Sequence, residues 1–133
     1  MVADRIMLTV PARAEYAKTV RMTAAALGSR FGMNYEEVDD IRMAAEEAFV
    51  YEVDHAPENG EISIVFTLDD SFDLKVNLAE GSRVTDEDAE RRTAYATFIL
   101  QSICDRFELS SDESGPYLRV VKDIHAERPD AQS

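Results

Sequence analysis

The sequence of 133 residues lacks most of the features that mark a familiar catalytic centre. It has one cysteine, Cys104, so an internal disulfide and a cysteine-rich zinc site are both excluded. Its two histidines, His55 and His125, stand far apart with no paired ligand at metal spacing. Glycine is sparse, and neither a Walker A loop nor G-x-G-x-x-G is present; G-x-S-x-G and H-E-x-x-H are missing too. No apolar stretch approaches the roughly 18 residues needed to cross a bilayer, and the start carries no signal-peptide core. The expectation is a reduced, cytoplasmic protein. Positive charge is scarce as well. Lys and Arg total 14 against 27 Asp and Glu, for a net charge of −13. Such a polyanion repels phosphate backbones and anionic lipid, which argues against nucleic acid and membrane surfaces as partners.

What is present suits one globular domain: 45% of the residues are hydrophobic and 31% charged. No repeat, low-complexity run or linker divides the chain. Residues 1–125 read as a single domain and 126–133 as a polar, frayed tail. The acid is unevenly placed. Residues 1–50 carry a net charge of −2 and residues 51–133 carry −11. Within residues 11–30, Arg13, Lys18, Arg21 and Arg30 face Glu15 alone. An acidic molecule thus has one basic segment near its start, either a solvated helix face or an attachment surface.

Residues 5–11 are β-prone and end at Pro11, which predicts a strand. Residues 14–30 predict a helix, with Tyr16, Val20, Ala24 and Leu27 at helical spacing and Gly28 and Gly32 flanking its end. Asn34 is an N-cap for a second helix to about Ala56, with Glu36 and Glu37 in its first turn. Val38, Ile41, Ala45, Ala48 and Phe49 form its apolar stripe, and Pro57 stops it. Two alternating segments, 61–68 and 72–78, form a hairpin across Asp69-Asp70-Ser71. Their inward sets are Ile62, Ile64, Phe66, Leu68 and Phe72, Leu74, Val76, Leu78. Gly81-Ser82-Arg83 opens a polar loop, and a third helix starts near Thr85 and runs through Ile103. Phe107–Leu109 reads as a short strand, Gly115-Pro116 as a turn, and Tyr117–Ile124 as the last strand. The order β-α-α-β-β-α-β-β predicts an α+β fold, a two-layer α/β sandwich with helices on one face. Cys104 reads as a buried small hydrophobe and His55 as a helix-end residue bonded to backbone. Met7, Met22, Met33 and Met43 are assigned to the core pattern.

The second helix, Val38 to Ala56, places Glu47 and Tyr51 four apart, on one face. Around it stand Leu8-Thr-Val-Pro-Ala-Arg-Ala-Glu-Tyr16, Val20-Arg21-Met-Thr, and Phe31-Gly-Met-Asn-Tyr-Glu-Glu-Val-Asp-Asp-Ile41. Further on come the paired strands, Ile103-Cys-Asp-Arg-Phe-Glu-Leu109, and the strand after Gly115. In order and nearly end to end, the chain resembles the bacterial anti-sigma factor serine-protein kinases of the RsbW and SpoIIAB type. The resemblance implies a Bergerat (histidine kinase-like ATPase) fold with a mixed, mainly antiparallel sheet. It also implies a homodimer, and as partners a sigma factor and a STAS-type antagonist phosphorylated on serine.

The same resemblance assigns roles. The family's second helix carries a Glu, general base toward the substrate serine, and four residues on an Asn that holds Mg²⁺. Here these positions are Glu47 and Tyr51. A neutral phenol is a poor Mg²⁺ ligand and its ring occupies phosphate space, so Glu47 is expected to remain as a solvated or capping carboxylate. The family's D-x-G-x-G falls on Asn77 to Arg83. Its adenine-binding Asp lands on Ala79 or Glu80, depending on a one-residue shift, and Gly81 is the one glycine there. The later G-x-G falls on Ala94 and Ala96, with Tyr95 between, in a stretch that reads as helix. The lid is acidic, with Asp86, Glu87, Asp88 and Glu90, partly offset by Arg91 and Arg92. Three nucleotide-binding elements are thus altered together. The expectation is a binding regulator with a degenerate ATP site, needing no cofactor. An active ATP- and Mg²⁺-dependent kinase using Glu47 is the alternative. A third reading has Tyr51 and Tyr95 stack on another ligand in the vacated pocket, or simply fill it. The family's partner-contacting Arg on the first helix aligns with Arg21. That makes Arg13, Lys18 and Arg21 the expected partner surface.

Overall fold

The computed structural model describes residues 3–57, 59–78 and 87–124. Strand β1 (Asp4–Pro11) leads through a short 3-10 turn at Ala14–Tyr16 into α1 (Ala17–Arg30) and α2 (Tyr35–His55). Then come β2 (Glu61–Leu68), β3 (Ser71–Leu78), α3 (Glu87–Ile103), β4 (Arg106–Asp112) and β5 (Gly115–Asp123). The strands form one sheet in the order β1-β2-β3-β5-β4, and every pairing in it is antiparallel. The expected mixed sheet is therefore corrected: no parallel pair occurs among the described residues.

Strict alternation builds the central hairpin. Ile62, Ile64, Phe66 and Leu68 on β2 and Phe72, Leu74 and Val76 on β3 are buried, and the register sets Phe66 opposite Leu74 and Ile64 opposite Val76. Both apolar rows thus lie on one face, as the period of two requires. Phe66 and Phe72 meet edge to face at 5.9 Å. The helices cover this face. On α2, Ile41, Ala44, Ala45, Ala48 and Phe49 are fully buried, and the small alanines let α1 and the sheet approach closely.

Local chemistry sets the α1–α2 joint. Gly32 adopts φ 94°, the left-handed cap position that favours glycine. Met33 N donates to Gly28 O at 3.1 Å and Gly32 N to Ser29 O at 3.2 Å, the bonding pattern of a Schellman motif. Asn34 then opens α2 as expected. Its side chain accepts from Glu37 N at 2.8 Å while the Glu37 carboxylate accepts from Asn34 N at 2.9 Å, a reciprocal capping box. At the other end of the layer, Lys122 Nζ donates to Asp40 at 2.9 Å and to the helix-terminal Ile103 O at 3.0 Å, tying β5 to α2 and α3.

Three expectations need correction. Met7, Met22 and Met43 are exposed at 61%, 57% and 47%, and of the four methionines assigned to the core only Met33 is buried. Met7 lies on the uncovered face of β1, alternating with Ile6 and Leu8; Met22 and Met43 point outward from their helices. The short strand at 107–109 extends over Arg106–Asp112, because pairing with β5 rather than its own apolar content defines it. Gly115 and Pro116 begin β5 instead of forming the turn, which lies at Glu113–Ser114.

Candidate functional site

The face of α2 that carries Glu47 and Tyr51 turns toward α3, and between the two helices lies a cavity of about 310 Å³. Glu47, Tyr51 and Asp54 line it from α2; Arg91, Arg92, Tyr95 and Ala96 line it from α3. The spacing of Glu47, Tyr51 and Asp54, four and three apart, is the helical period that brings them to one wall. That spacing would have revealed Asp54 in the sequence. Ala94, although between lining neighbours, is exposed on α3 and does not line the cavity. Glu80 and Gly81 lie outside the described residues, as do Ala79 and Asp86.

Tyr51 is anchored rather than available. It is 6% exposed, its ring lies 4.4 Å from that of His55, and Thr93 Oγ1 donates to its hydroxyl at 3.3 Å. His55 Nδ1 in turn bonds Tyr51 O at 2.8 Å, as its helix-end position predicts. The phenol therefore bridges α2 and α3. Tyr95 behaves differently. It is 62% exposed at the cavity mouth, so it does not fill the space that Tyr51 fills. No sequence signal pairs Thr93 with Tyr51, because the contact joins residues 42 apart.

The charged lining is mostly internally matched. Arg92 lies 3.4 Å from Asp54, and Arg91 pairs with Asp88 in the first turn of α3. Glu87, Asp88 and Glu90 all sit in that first turn, where the helix dipole favours carboxylates. Glu47 is half-buried on the cavity wall. Burial, then the neighbouring Glu46 and Asp54, push its carboxyl above the ordinary value. Its partial exposure fits the solvated carboxylate expected of it.

α3 is continuous helix from Glu87 to Ile103, including positions 94–96. Ala96 is 3% exposed and packs in the core. A helix interior directs its N–H groups into its own hydrogen bonds, whereas a glycine turn at a helix start presents them to an anion.

The basic segment also changes character. Arg21 donates to Glu46 at 3.0 Å across α1 and α2, with side-chain exposures of 32% and 43%. Arg13 stacks on Tyr16 at 5.4 Å and donates to its hydroxyl at 3.2 Å; Lys18 is exposed on α1. Among the described basic residues, Arg5, Arg13, Lys18 and Arg30 have no carboxylate partner, and every other one has. Among the described residues, unmatched positive charge is thus confined to β1, α1 and the segment between them.

A five-stranded antiparallel sheet under three helices, with a cavity between the second and third, defines a histidine kinase-like ATPase domain, and that family matches residues 10–122. Serine-protein kinase RsbW of Listeria monocytogenes serovar 1/2a is 31% identical over 128 residues, covering 83% of this chain and 82% of that one. RsbW of Bacillus subtilis is 28% identical over 146 residues, covering 96% and 91%. Within the ATPase-domain class, the chain belongs to the RsbW serine-protein kinase family. The fold agrees with a crystal structure of RsbU and RsbW domains from Mycobacterium tuberculosis, with a TM-score of 0.73 at 16% identity. That match covers 98% of this chain and 34% of the longer one.

Proposed function

We propose that this chain is an RsbW-type regulator that acts by binding, with its ATP site out of use. Its partners are a sigma factor, a STAS-type anti-sigma antagonist, or both, and it works as a homodimer in the cytoplasm. The observation that carries this reading is Tyr51. Where the family has a Mg²⁺-holding Asn, a phenol is buried and held by Thr93 and His55. A rotation that emptied the space would break a hydrogen bond and expose a buried ring. The helical course of α3 through 94–96 supports the same reading. So does the engagement of the cavity's two arginines, Arg91 with Asp88 and Arg92 with Asp54, in place of phosphate. The residues present thus suit Mg²⁺ and ATP poorly, and neither is assigned here.

One observation favours the kinase alternative. Glu47 faces the cavity with a raised pKa, the property a general base uses. Isothermal titration with Mg-ATP separates the two. The binding reading expects no saturable heat; micromolar binding, with phosphate transfer to an antagonist serine, replaces it with the kinase reading. The partner surface is tested by Arg21→Glu, which removes the pair with Glu46 and sets two carboxylates together. Loss of sigma-factor or antagonist capture with an unchanged circular dichroism spectrum is the expected result. Undiminished capture removes Arg21 from the surface.

A further inference from the structure

We propose that the cavity between α2 and α3 binds a small aromatic ammonium ion, with its charged end on Glu47 and its ring against Tyr95. The inference goes beyond the binding-regulator reading and rests on the ATP site being out of use. Three carboxylates line the cavity, and two of them are engaged: Asp88 pairs with Arg91, and Asp54 lies 3.4 Å from Arg92. Glu47 is the third, and it has no hydrogen-bond or ion-pair partner among the described residues. The charged groups that bear on it, Glu46 and Asp54, are both acidic. A half-buried carboxylate flanked by like charge is stabilised by a ligand that brings a cation.

The rest of the lining narrows the ligand. Both guanidiniums are already answered by carboxylates, so an anion finds no free positive charge there. A bare metal ion needs several converging donors, and among the described residues no three His, Cys, Asp or Glu side chains gather to hold one. Val50, Tyr51 and Ala96 give the cavity an apolar wall, and Tyr51 is held in place by Thr93 and His55. Tyr95 at the mouth is 62% exposed, so its ring is open to a ligand. An open aromatic face and an unanswered carboxylate in one cavity suit an organic ammonium ion. The ring attracts it by stacking and cation–π interaction, and the carboxylate by charge.

Size and charge count specify the ligand further. A cavity of about 310 Å³ lies at the small end of the range for ligand pockets. That suits one ring with a short aminoalkyl arm. With Asp54 and Asp88 engaged, one positive charge matches the site better than two. An ammonium beside Glu47 also offsets the upward push that burial, Glu46 and Asp54 exert on its carboxyl.

The test titrates the full, isotopically labelled chain with phenethylamine near neutral pH and follows the amide chemical shifts. Saturable shifts centred on Val50, Tyr51, Tyr95 and Ala96 are expected, with a Kd of about 1 mM or tighter for a ligand of this size. Phenethyl alcohol keeps the ring and loses the charge, and should bind about tenfold more weakly or not at all. Phenylacetate, with the opposite charge, should not bind. Glu47→Gln keeps the shape and removes the carboxylate, and should weaken amine binding about tenfold or more. Tyr95→Ala should weaken it about threefold. Tyr95 is exposed and Glu47→Gln is expected to melt no lower than the wild type at neutral pH, so neither loss reflects unfolding. Equal amine binding by either variant overturns the proposal, as do equal binding of the alcohol and shifts centred elsewhere. Absence of amine binding, with Mg-ATP also failing to bind, overturns it and leaves the binding-regulator reading standing. Displacement of the amine by Mg-ATP removes both.

Discussion

Replacing Tyr51 by asparagine installs the residue that the resemblance implies at that position, and the structure says that it should damage the protein without restoring a nucleotide site. The ring is 6% exposed and packed against His55. Truncating a buried aromatic residue costs about 3–5 kcal/mol. Asparagine retains some volume but buries an amide, which puts Tyr51→Asn at about 3–4 kcal/mol. For 133 residues the unfolding entropy converts each kcal/mol into roughly 3.5 °C, so the melting temperature should fall by about 10–14 °C. Tyr51→Phe keeps the ring and loses only the bond from Thr93. It should cost about 0.5–1.5 kcal/mol, or roughly 2–5 °C. Calorimetric melting of the three proteins measures the series, and titration with Mg-ATP completes it. No binding is expected in Tyr51→Asn, because α3 remains helical at 94–96. A Tyr51→Asn protein that melts within about 2 °C of wild type would refute the packing argument. Saturable Mg-ATP binding by that single variant would refute the argument from α3.

Glu47→Gln should stabilise the protein at neutral pH. The folded carboxyl holds its proton to higher pH than the unfolded one, so stability declines as pH rises from the unfolded value through the raised folded one. The gain over wild type in thermal melts should therefore be present at pH 7 and vanish at pH 3, where both forms are neutral; a gain that persists there contradicts the assignment. Asn34→Ala removes one half of the capping box and should cost about 1 kcal/mol in urea unfolding, with an unchanged slope. Burial pushes the Cys104 thiol up to about 12. Alkylation by iodoacetamide at pH 8 should thus be slow in the native protein and fast in urea; rapid native labelling contradicts the burial.

Much of the architecture was legible because it rests on local pattern. The period-two rows of 61–68 and 72–78 and the helical stripe from Ile41 to Phe49 describe faces that any fold must bury. Asn34 before a run with Glu36 and Glu37 is a helix start by the chemistry of its own backbone, and His55 at a helix end finds a carbonyl four residues back. The family, too, was readable from residue order alone, as were Glu47 and Tyr51 sharing one helical face.

What needed the tertiary structure were properties that belong to pairs of distant residues. A methionine is equally apolar on either face of a strand, so only the sheet decides that Met7 is outside. β4 has little apolar pattern of its own and is a strand because β5 pairs with it. Arg21 looks free among the basic residues of α1 until α2 brings Glu46 to 3.0 Å, which leaves Arg5, Arg13, Lys18 and Arg30 as the unmatched cations among the described residues. Tyr51 is a substitution in the sequence, and it becomes a structural bridge once α3 supplies Thr93. Sequence periodicity therefore determined which residues share a face. Long-range packing decided which of those residues are occupied by one another and which are left to meet a partner.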